Sequence, residues 1–269
     1  MVAGPNGSGK STLAAWLARD YAVNFYTMLN ADEVFAEVSR TGACFVPFPV
    51  DAASLLAYVE KSQYAEGEKE HFRSGAIAVD FDCVRFRVAE AVNSYTVAML
   101  VNFLQDECIE RGISFSQETV FSHASKVAAL EKARSMGFRT YLYFVATDDA
   151  AINADRVARR HAQGGHNVPV EKIEQRYGRS LANVSRALPH LSRAYFFDNS
   201  GDEMRYLASY AEGAGFALQS LESTMPRWFK AVLKTSESIT SRVASPRPTR
   251  GSSILNSARC IPELGGPVK

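Results

Sequence analysis

Short apolar runs alternate along the chain with segments whose apolar residues recur every three to four positions. The short runs are rich in β-branched and aromatic residues and predict strands. They cover residues 24–29, 113–117, 139–146 and 194–198. The periodic segments predict helices, which cover residues 11–22, 31–39, 88–111, 124–136, 149–162 and 169–187. Strands separated by such helices indicate βαβ units, so the sequence predicts an α/β fold with a largely parallel sheet.

Three segments do not follow this alternation. Residues 52–75 predict a helix followed by a charged stretch, Glu66–Arg73, with little periodicity. Residues 204–221 predict a closing hairpin around Gly213-Ala214-Gly215. Only Met1, Val2 and Ala3 precede Gly4, where a central strand of about five residues is expected. We therefore expect the true start of the protein to be missing or misplaced.

The charge distribution divides the chain near residue 233. The whole chain carries a net charge of +1, whereas residues 234–269 contain six basic and two acidic residues and carry +4, which leaves −3 for the rest. This tail is rich in Ser, Pro, Gly and Thr and has no aromatic residue. Such a composition does not bury enough apolar surface to offset the entropy of ordering. We expect one domain over residues 1–233 and a disordered basic tail over 234–269.

Composition excludes several classes of protein. Apolar residues make up 46% and charged residues 22% of the chain, which is typical of a globular protein. No apolar run approaches the roughly 18 residues of a membrane span, and the net charge gives no general field for nucleic acid. The four cysteines are far apart with no CxxC pair, which suits a reducing compartment. We expect a cytoplasmic protein that binds neither membrane nor nucleic acid.

The strongest local signal is a P-loop, or Walker A, motif near the start of the chain. It reads Gly4-Pro5-Asn6-Gly7-Ser8-Gly9-Lys10-Ser11, with Thr12 following, and satisfies G-x-x-x-x-G-K-[ST] at every fixed position. The loop's backbone N–H groups and the positive end of the next helix bind phosphates. Lys10 is predicted to reach the β- and γ-phosphates, and Ser11 to be a ligand of Mg²⁺. The motif predicts binding of ATP or GTP with Mg²⁺.

Two further features favour phosphoryl transfer to a small molecule. Asp32 follows the second predicted strand, where a carboxylate accepts the proton of a substrate hydroxyl in small-molecule kinases. The alternative is that Asp32 only caps the helix after it. Arginines recur on two consecutive predicted helices, where their guanidinium groups can neutralise a transferring phosphoryl group. They are Arg156, Arg159, Arg160, Arg176 and Arg179. No LSGGQ-like signature of an ABC-type ATPase is present.

Taken together, the motifs resemble those of the zeta toxin family. The segments that carry the resemblance are GPNGSGKST (4–12), LNADE (29–33), SFSQET (114–119), INADRVARR (152–160), GGHNVP (164–169), QRYGRSLAN (175–183) and YFFDNS (195–200). They span nearly all of residues 1–200 in the family's order. The resemblance implies a three-layer P-loop NTPase fold of the nucleotide-kinase type. It also implies transfer from ATP or GTP, with Mg²⁺, to the 3′-hydroxyl of UDP-N-acetylglucosamine, and an antitoxin protein as partner.

The resemblance also implies roles for individual residues. Asp32 matches the family's catalytic base, and Lys10 and Ser11 match its phosphate and Mg²⁺ ligands. Glu118 matches an acid near the sugar substrate, and Arg156 matches a charge-stabilising arginine.

The chain departs from the family at two places. A second arginine of the family falls near His166, so Arg159, Arg160 or Arg176 are the candidates for that role. Residues 42–88 match no part of the toxins and are expected to form part of the substrate site or a lid. Two alternatives stay open: a kinase of another acceptor (a nucleoside, a cofactor or a polynucleotide end), and a nucleotide-gated binding module without transfer chemistry.

Overall fold

A computed structural model of the protein describes residues 1–163 and 168–243. The helices in these ranges are α1 (Lys10–Tyr21), α2 (Ala31–Thr41), α3 (Ala52–Lys61), α4 (Glu66–Arg73), α5 (Ser94–Glu110), α6 (Ser125–Ser135), α7 (Ala150–Ala162), α8 (Val170–Ala187) and α9 (Arg227–Val243). The strands are β1 (Val2–Ala3), β2 (Thr27–Leu29), β3 (Ala43–Phe45), β4 (Ile77–Asp80), β5 (Cys83–Phe86), β6 (Phe115–Thr119), β7 (Tyr141–Ala146), β8 (Arg193–Asp198), β9 (Arg205–Ala211) and β10 (Gly215–Leu218). Three single-turn 3₁₀ helices lie at Ala89–Ala91, Leu188–His190 and Glu222–Thr224.

The chain forms two compact units. The first contains Met1–Phe25 and the chain from Thr119 onward, and the second contains Tyr26–Glu118. The single domain predicted over residues 1–233 therefore consists of a P-loop unit with a second unit inserted into it.

In the first unit, helices cover both faces of a five-stranded sheet. The strands lie in the order β10-β9-β8-β7-β1; β1, β7 and β8 are parallel, and β9 and β10 form the predicted antiparallel hairpin at one edge. One face packs Val2, Tyr143 and Phe197 against Leu13 and Leu17 of α1. The other face packs against α6, α8 and α9. Three layers result, because successive strand residues point to opposite faces.

The second unit combines a parallel strand pair with a small antiparallel sheet. β2 pairs with β6 in parallel, with Leu29 opposite Gln117. β3, β5 and β4 form a three-stranded sheet in that order. One apolar core joins this sheet to α2, α3 and α5. The α/β class with a largely parallel central sheet is confirmed, and the segment 42–88 folds as helices and an antiparallel sheet.

One predicted helix boundary in the second unit was wrong, and a stretch with no predicted element is a helix. The helix predicted from residue 88 begins at Ser94, because the Asn93 side chain accepts hydrogen bonds from the backbone N–H groups of Tyr95 and Thr96. The charged stretch Glu66–Arg73 is a helix with acidic residues in its first turn and basic residues in its last turn, which suits the helix dipole. Arg73 also pairs with Glu60 of α3.

The prediction of a disordered tail over residues 234–269 was wrong for its first ten residues. α9 runs to Val243, so the first ten residues assigned to a disordered tail are helical. Trp228, at the start of α9, is buried and donates from Nε1 to Asp198 at 3.1 Å, which anchors the helix to the end of β8. Residues 244–269 lie outside the described residues.

Within the described part of the chain, no helix has both the length and the apolar character needed to cross a membrane.

Three buried cysteines, Cys44, Cys83 and Cys108, are free. Burial raises the pKa of the Cys44 thiol to about 12 and that of Cys108 to about 11. At neutral pH both groups stay protonated and pack as small apolar side chains.

Candidate active site

The P-loop motif forms the connection between β1 and α1. The Gly4 N–H donates to Thr119 O and the Ser8 N–H donates to Pro5 O, both at 3.2 Å. Lys10 is the first residue of α1, and its Nζ donates to Pro5 O at 3.1 Å. The lysine ammonium group is therefore folded over the loop, where the bound phosphates are expected.

Two glycines of the loop are required by close contacts and by backbone angle. A Cβ on Gly7 would lie 2.6 Å from the carbonyl oxygen of Asn153 in α7, and one on Gly9 would lie 2.4 Å from Nδ2 of Asn199. Both residues also have positive φ, 74° and 95°, which side-chain-bearing residues rarely adopt. The loop is thus packed between α7 and the segment that follows β8.

The end of the loop is suited to an anion. α1 carries no acidic residue in its first turn, so its positive end is not neutralised there. The side-chain oxygen of Ser8 is buried and has no hydrogen-bond partner within the described residues. A hydroxyl group held in this way can donate to a phosphate oxygen. The positive end of α1 and the unpartnered Ser8 hydroxyl therefore both fit the phosphate chain of a nucleotide.

Arg156 lies on α7, one helical turn beyond Asn153, whose backbone packs on Gly7. Its Nη2 is 3.4 Å from the carbonyl oxygen of Gly201. Its Nη1 is buried and has no hydrogen-bond partner within the described residues. A cationic N–H group is thus held near the phosphate loop, and the part of the chain that the structure describes gives it no acceptor.

A buried carboxylate organises the loop after β8. Asp198 is 1% exposed, pairs with Arg205 at 2.9 Å, and accepts hydrogen bonds from Ser200 Oγ and Trp228 Nε1. The next residue, Asn199, donates from Nδ2 to Ser8 O at 2.9 Å. The Asn199 side chain therefore holds the loop after β8 against the P-loop.

A cavity of about 290 Å³ opens beside α1. It is lined by Thr12 and Trp16 of the helix and by Glu203 and Met204 of the loop after β8. The Trp16 ring meets Phe197 edge-on, with centroids 6.0 Å apart. This cavity was not predicted from the sequence, because the spacing of Trp16 is that of any apolar residue in an amphipathic helix.

The other predicted cationic residues occupy different environments. Arg159 pairs with Asp155 on its own helix at 2.8 Å, whereas Arg160 is exposed in the last turn of α7. Arg176 is half-buried on α8, one turn before Ser180, whose hydroxyl lies 2.6 Å from Val120 O. His166 lies outside the described residues. Arg159 is therefore engaged on its own helix, and the role predicted for Arg176 stays a prediction.

Tyr177 fixes this part of α8 further. Its hydroxyl donates to Thr147 O at 2.6 Å, next to the end of β7. Burial raises the pKa of Tyr177 to about 12, so the phenol keeps its proton at neutral pH and can donate its hydrogen bond to Thr147 O.

The candidate acceptor residues lie in the second unit, at the carboxyl ends of β2 and β6. Asn30 caps α2, and its Oδ1 accepts a hydrogen bond from the Asp32 N–H at 3.0 Å. Asp32 is therefore not the N-cap, and its exposed carboxylate lies in the first turn of the helix. Glu118 is half-buried and follows Gln117, which pairs with Leu29. The purely structural alternative for Asp32, that of a capping residue, was wrong.

Ser11 is exposed in the first turn of α1. A serine hydroxyl at this place fits Mg²⁺, which takes few protein ligands and completes its shell with phosphates and water. No group of three or more His, Cys, Asp or Glu side chains among the described residues could hold a metal ion.

A family model described as an AAA domain matches residues 1–181. Among proteins of curated function, none matches the chain significantly.

Two solved structures show distant similarity. The first is the AvrRxo1-ORF1:-ORF2 complex with ATP, at 13% identity and a TM-score of 0.49; the match covers 93% of this chain and 65% of that one. The second belongs to the PezAT chromosomal toxin–antitoxin system of Streptococcus pneumoniae, at 12% identity and a TM-score of 0.46, covering 91% of this chain and 85% of that one. The chain thus spans less than two thirds of the AvrRxo1-ORF1:-ORF2 chain that it matches.

Proposed function

The chain belongs to the AAA domain family of P-loop nucleotide-binding proteins, and on that premise we propose that it is a kinase. It transfers the γ-phosphoryl group of ATP or GTP to a hydroxyl group of a nucleotide sugar. The proposed acceptor is the 3′-hydroxyl of UDP-N-acetylglucosamine, because the motif set resembles that of zeta toxins. The same resemblance adds an antitoxin as the proposed partner, and the four separated cysteines support the cytoplasm as the proposed place of the reaction.

The observation that carries the proposal is the buried Nη1 atom of the Arg156 guanidinium group, which has no hydrogen-bond partner within the described residues. Leaving a buried polar group without a partner costs about 1–3 kcal/mol, and more when the group is charged. A phosphate oxygen would offset that cost with a charge-assisted hydrogen bond. The cation lies on the helix that packs against the P-loop. This placement suits a group that neutralises charge on a transferring phosphoryl group.

The donor nucleotide is proposed to bind through the loop and the start of α1. Backbone N–H groups of Gly7, Gly9 and Lys10 face the phosphates, and the Lys10 ammonium moves from Pro5 O to the β- and γ-phosphates. Ser11 would hold Mg²⁺. When bound, this ion neutralises charge on the phosphates as the bond to the γ-phosphorus breaks.

On the acceptor side, Asp32 is proposed as general base and Glu118 as a group that orients the sugar. The acceptor oxygen forms a bond to the γ-phosphorus while the bond from that phosphorus to the β–γ bridging oxygen breaks. The acceptor proton passes to the Asp32 carboxylate, and ADP or GDP leaves. Arg176 and Arg160 are the candidates for a second charge-neutralising arginine.

We propose that the cavity beside Trp16 receives the base of the nucleotide. Filling it should quench Trp16 fluorescence on addition of ATP, and Trp16→Phe should remove most of that quenching, because the other tryptophan, Trp228, is buried. Titration with ATP checks this, with inorganic tripolyphosphate as the matched ligand that has no base. Equal quenching in the parent and in Trp16→Phe would place the base elsewhere.

Acceptor-dependent release of ADP tests the kinase proposal. The parent protein with ATP, Mg²⁺ and UDP-N-acetylglucosamine is expected to release ADP in step with a product whose mass has risen by one phosphoryl group. A parallel screen of nucleosides, cofactors and 5′-hydroxyl oligonucleotides distinguishes a kinase of another acceptor. If no compound in the screen stimulates ADP release and ATP still binds, the protein is a binding module and the kinase proposal is wrong.

A further inference from the structure

Gln117 combines deep burial with an unsatisfied side chain. The residue lies in β6 and is 3% exposed. Its Oε1 atom is buried and has no hydrogen-bond partner within the described residues. Buried side-chain amides nearly always have a partner, and an exception calls for a physical explanation such as a missing ligand or water.

Its place in the sheet favours a ligand. Gln117 lies opposite Leu29, the last residue of β2, and is the third of the five residues of β6, immediately before Glu118. Ligands of open α/β sheets gather at the carboxyl ends of strands. Asn30 and Asp32 follow the neighbouring strand at this same edge.

An ordered water is the weaker explanation. Side chains alternate along a strand, so Gln117 shares its face with Phe115 and Thr119 of β6 and, across the pair, with Leu29. Leu29 belongs to the apolar core of the second unit, and Phe115 packs against that core. A buried water needs two to four polar partners. Among these neighbours only Thr119 has a polar side chain, and its hydroxyl already accepts a hydrogen bond from the Phe121 N–H at 3.2 Å.

We infer that Gln117 is a specificity-determining residue of the acceptor site, and that its side-chain amide pairs with an amide or imide group of the acceptor. An unpartnered carbonyl oxygen requires a donor, which excludes a phosphate or carboxylate as its partner. The amide carries a carbonyl and an NH₂ in one plane, so a group with an N–H beside a C=O complements it at two points. The acetamido group of an N-acetyl sugar and the imide edge of uracil share this chemistry. The inference rests on the proposed function.

The test compares two buried glutamines of the same unit. Gln117→Met keeps an unbranched side chain of similar size and removes the amide. Gln105→Met, at a 4% exposed position of α5, is the matched control. Gln117→Met is expected to raise Tm by a few degrees, because an unsatisfied polar group is removed. It should also raise KM for UDP-N-acetylglucosamine by ~10-fold or more with kcat little changed. Gln105→Met should leave KM unchanged.

Two partial acceptors distinguish the sources of the amide group. N-acetylglucosamine 1-phosphate carries the acetamido group without uracil, and UDP-glucose carries uracil without the acetamido group. If Gln117→Met raises KM for UDP-N-acetylglucosamine to the value for UDP-glucose and leaves KM for UDP-glucose unchanged, the contact is with the acetamido group. If Gln117→Met also raises KM for UDP-glucose, the contact is with the imide edge of uracil. Either result supports the inference.

An unchanged KM for every acceptor in Gln117→Met would overturn the inference, whatever happens to Tm. If the parent phosphorylates none of these acceptors, the proposed acceptor is wrong, and Tm then decides about Gln117. A higher Tm in Gln117→Met supports an amide kept unpaired for a ligand, and a lower Tm shows that the amide already serves the fold.

Discussion

Asp32→Asn is expected to lower kcat for phosphoryl transfer by ~10²–10⁴-fold, the usual contribution of a general base. The asparagine side chain keeps the size of aspartate but cannot take the acceptor proton at neutral pH. The helix should not suffer, because Asn30 caps α2 and its contact is with the backbone N–H of residue 32, which the substitution retains. Steady-state kinetics with the best acceptor, together with calorimetric titration of ATP, checks both halves of the expectation.

The matched control for this experiment is Glu33→Gln. Glu33 is the next residue, is exposed, and lies in the same first turn of α2, so it loses an equal charge at nearly the same place. Its kcat should stay within a few-fold of the parent. If Asp32→Asn retains full activity, Asp32 is not the base, and Glu118 becomes the next residue to test. If both variants lose activity equally, the effect comes from the charge of the helix terminus and not from proton transfer.

The P-loop was predictable from sequence because its chemistry is local. Eight consecutive residues set the turn, the anion-binding backbone and the start of α1, and the structure places them in one segment from the end of β1 to the first turn of α1. The position of Asp32 after a strand was predictable for the same reason. Whether Asp32 caps the helix was decided by its neighbour Asn30, which lies between the end of β2 at Leu29 and the start of α2 and is itself the N-cap.

Tertiary contacts separate arginines that residue spacing does not, and in the sequence only the resemblance to zeta toxins selects Arg156. Arg156 and Arg159 lie one turn apart on α7, and spacing alone gives them similar weight. The structure separates them, since Arg159 pairs with Asp155 while Arg156 is turned toward Gly201 in the loop after β8. That loop lies 45 residues further along the chain.

Short elements in the second unit escaped sequence prediction for a different reason. Strands β3, β4 and β5 have three or four residues each, too few for a period to emerge. Helix α4 has almost no apolar residues, and its ion pair with Glu60 joins residues 13 positions apart. The cavity beside Trp16 and the unpaired amide of Gln117 are likewise products of packing, not of any local pattern.

Lys10→Ala is expected to weaken ATP binding by ~10–100-fold, because charge-assisted hydrogen bonds to phosphate are worth about 1.5–3 kcal/mol. The fold should survive, since Lys10 is only half-buried at the first position of α1 and alanine is a good helix former. The loss should be smaller for AMP, which lacks the β- and γ-phosphates that Lys10 is proposed to hold, so the ratio of ATP to AMP affinity must fall. Calorimetry with ATP, ADP and AMP measures this ratio, and Lys61→Ala, at an exposed lysine of α3, controls for the loss of one positive charge. An equal loss for all three nucleotides would mean that the lysine supports the loop and not the phosphates, and an unchanged ATP affinity would remove the P-loop assignment on which the kinase proposal depends.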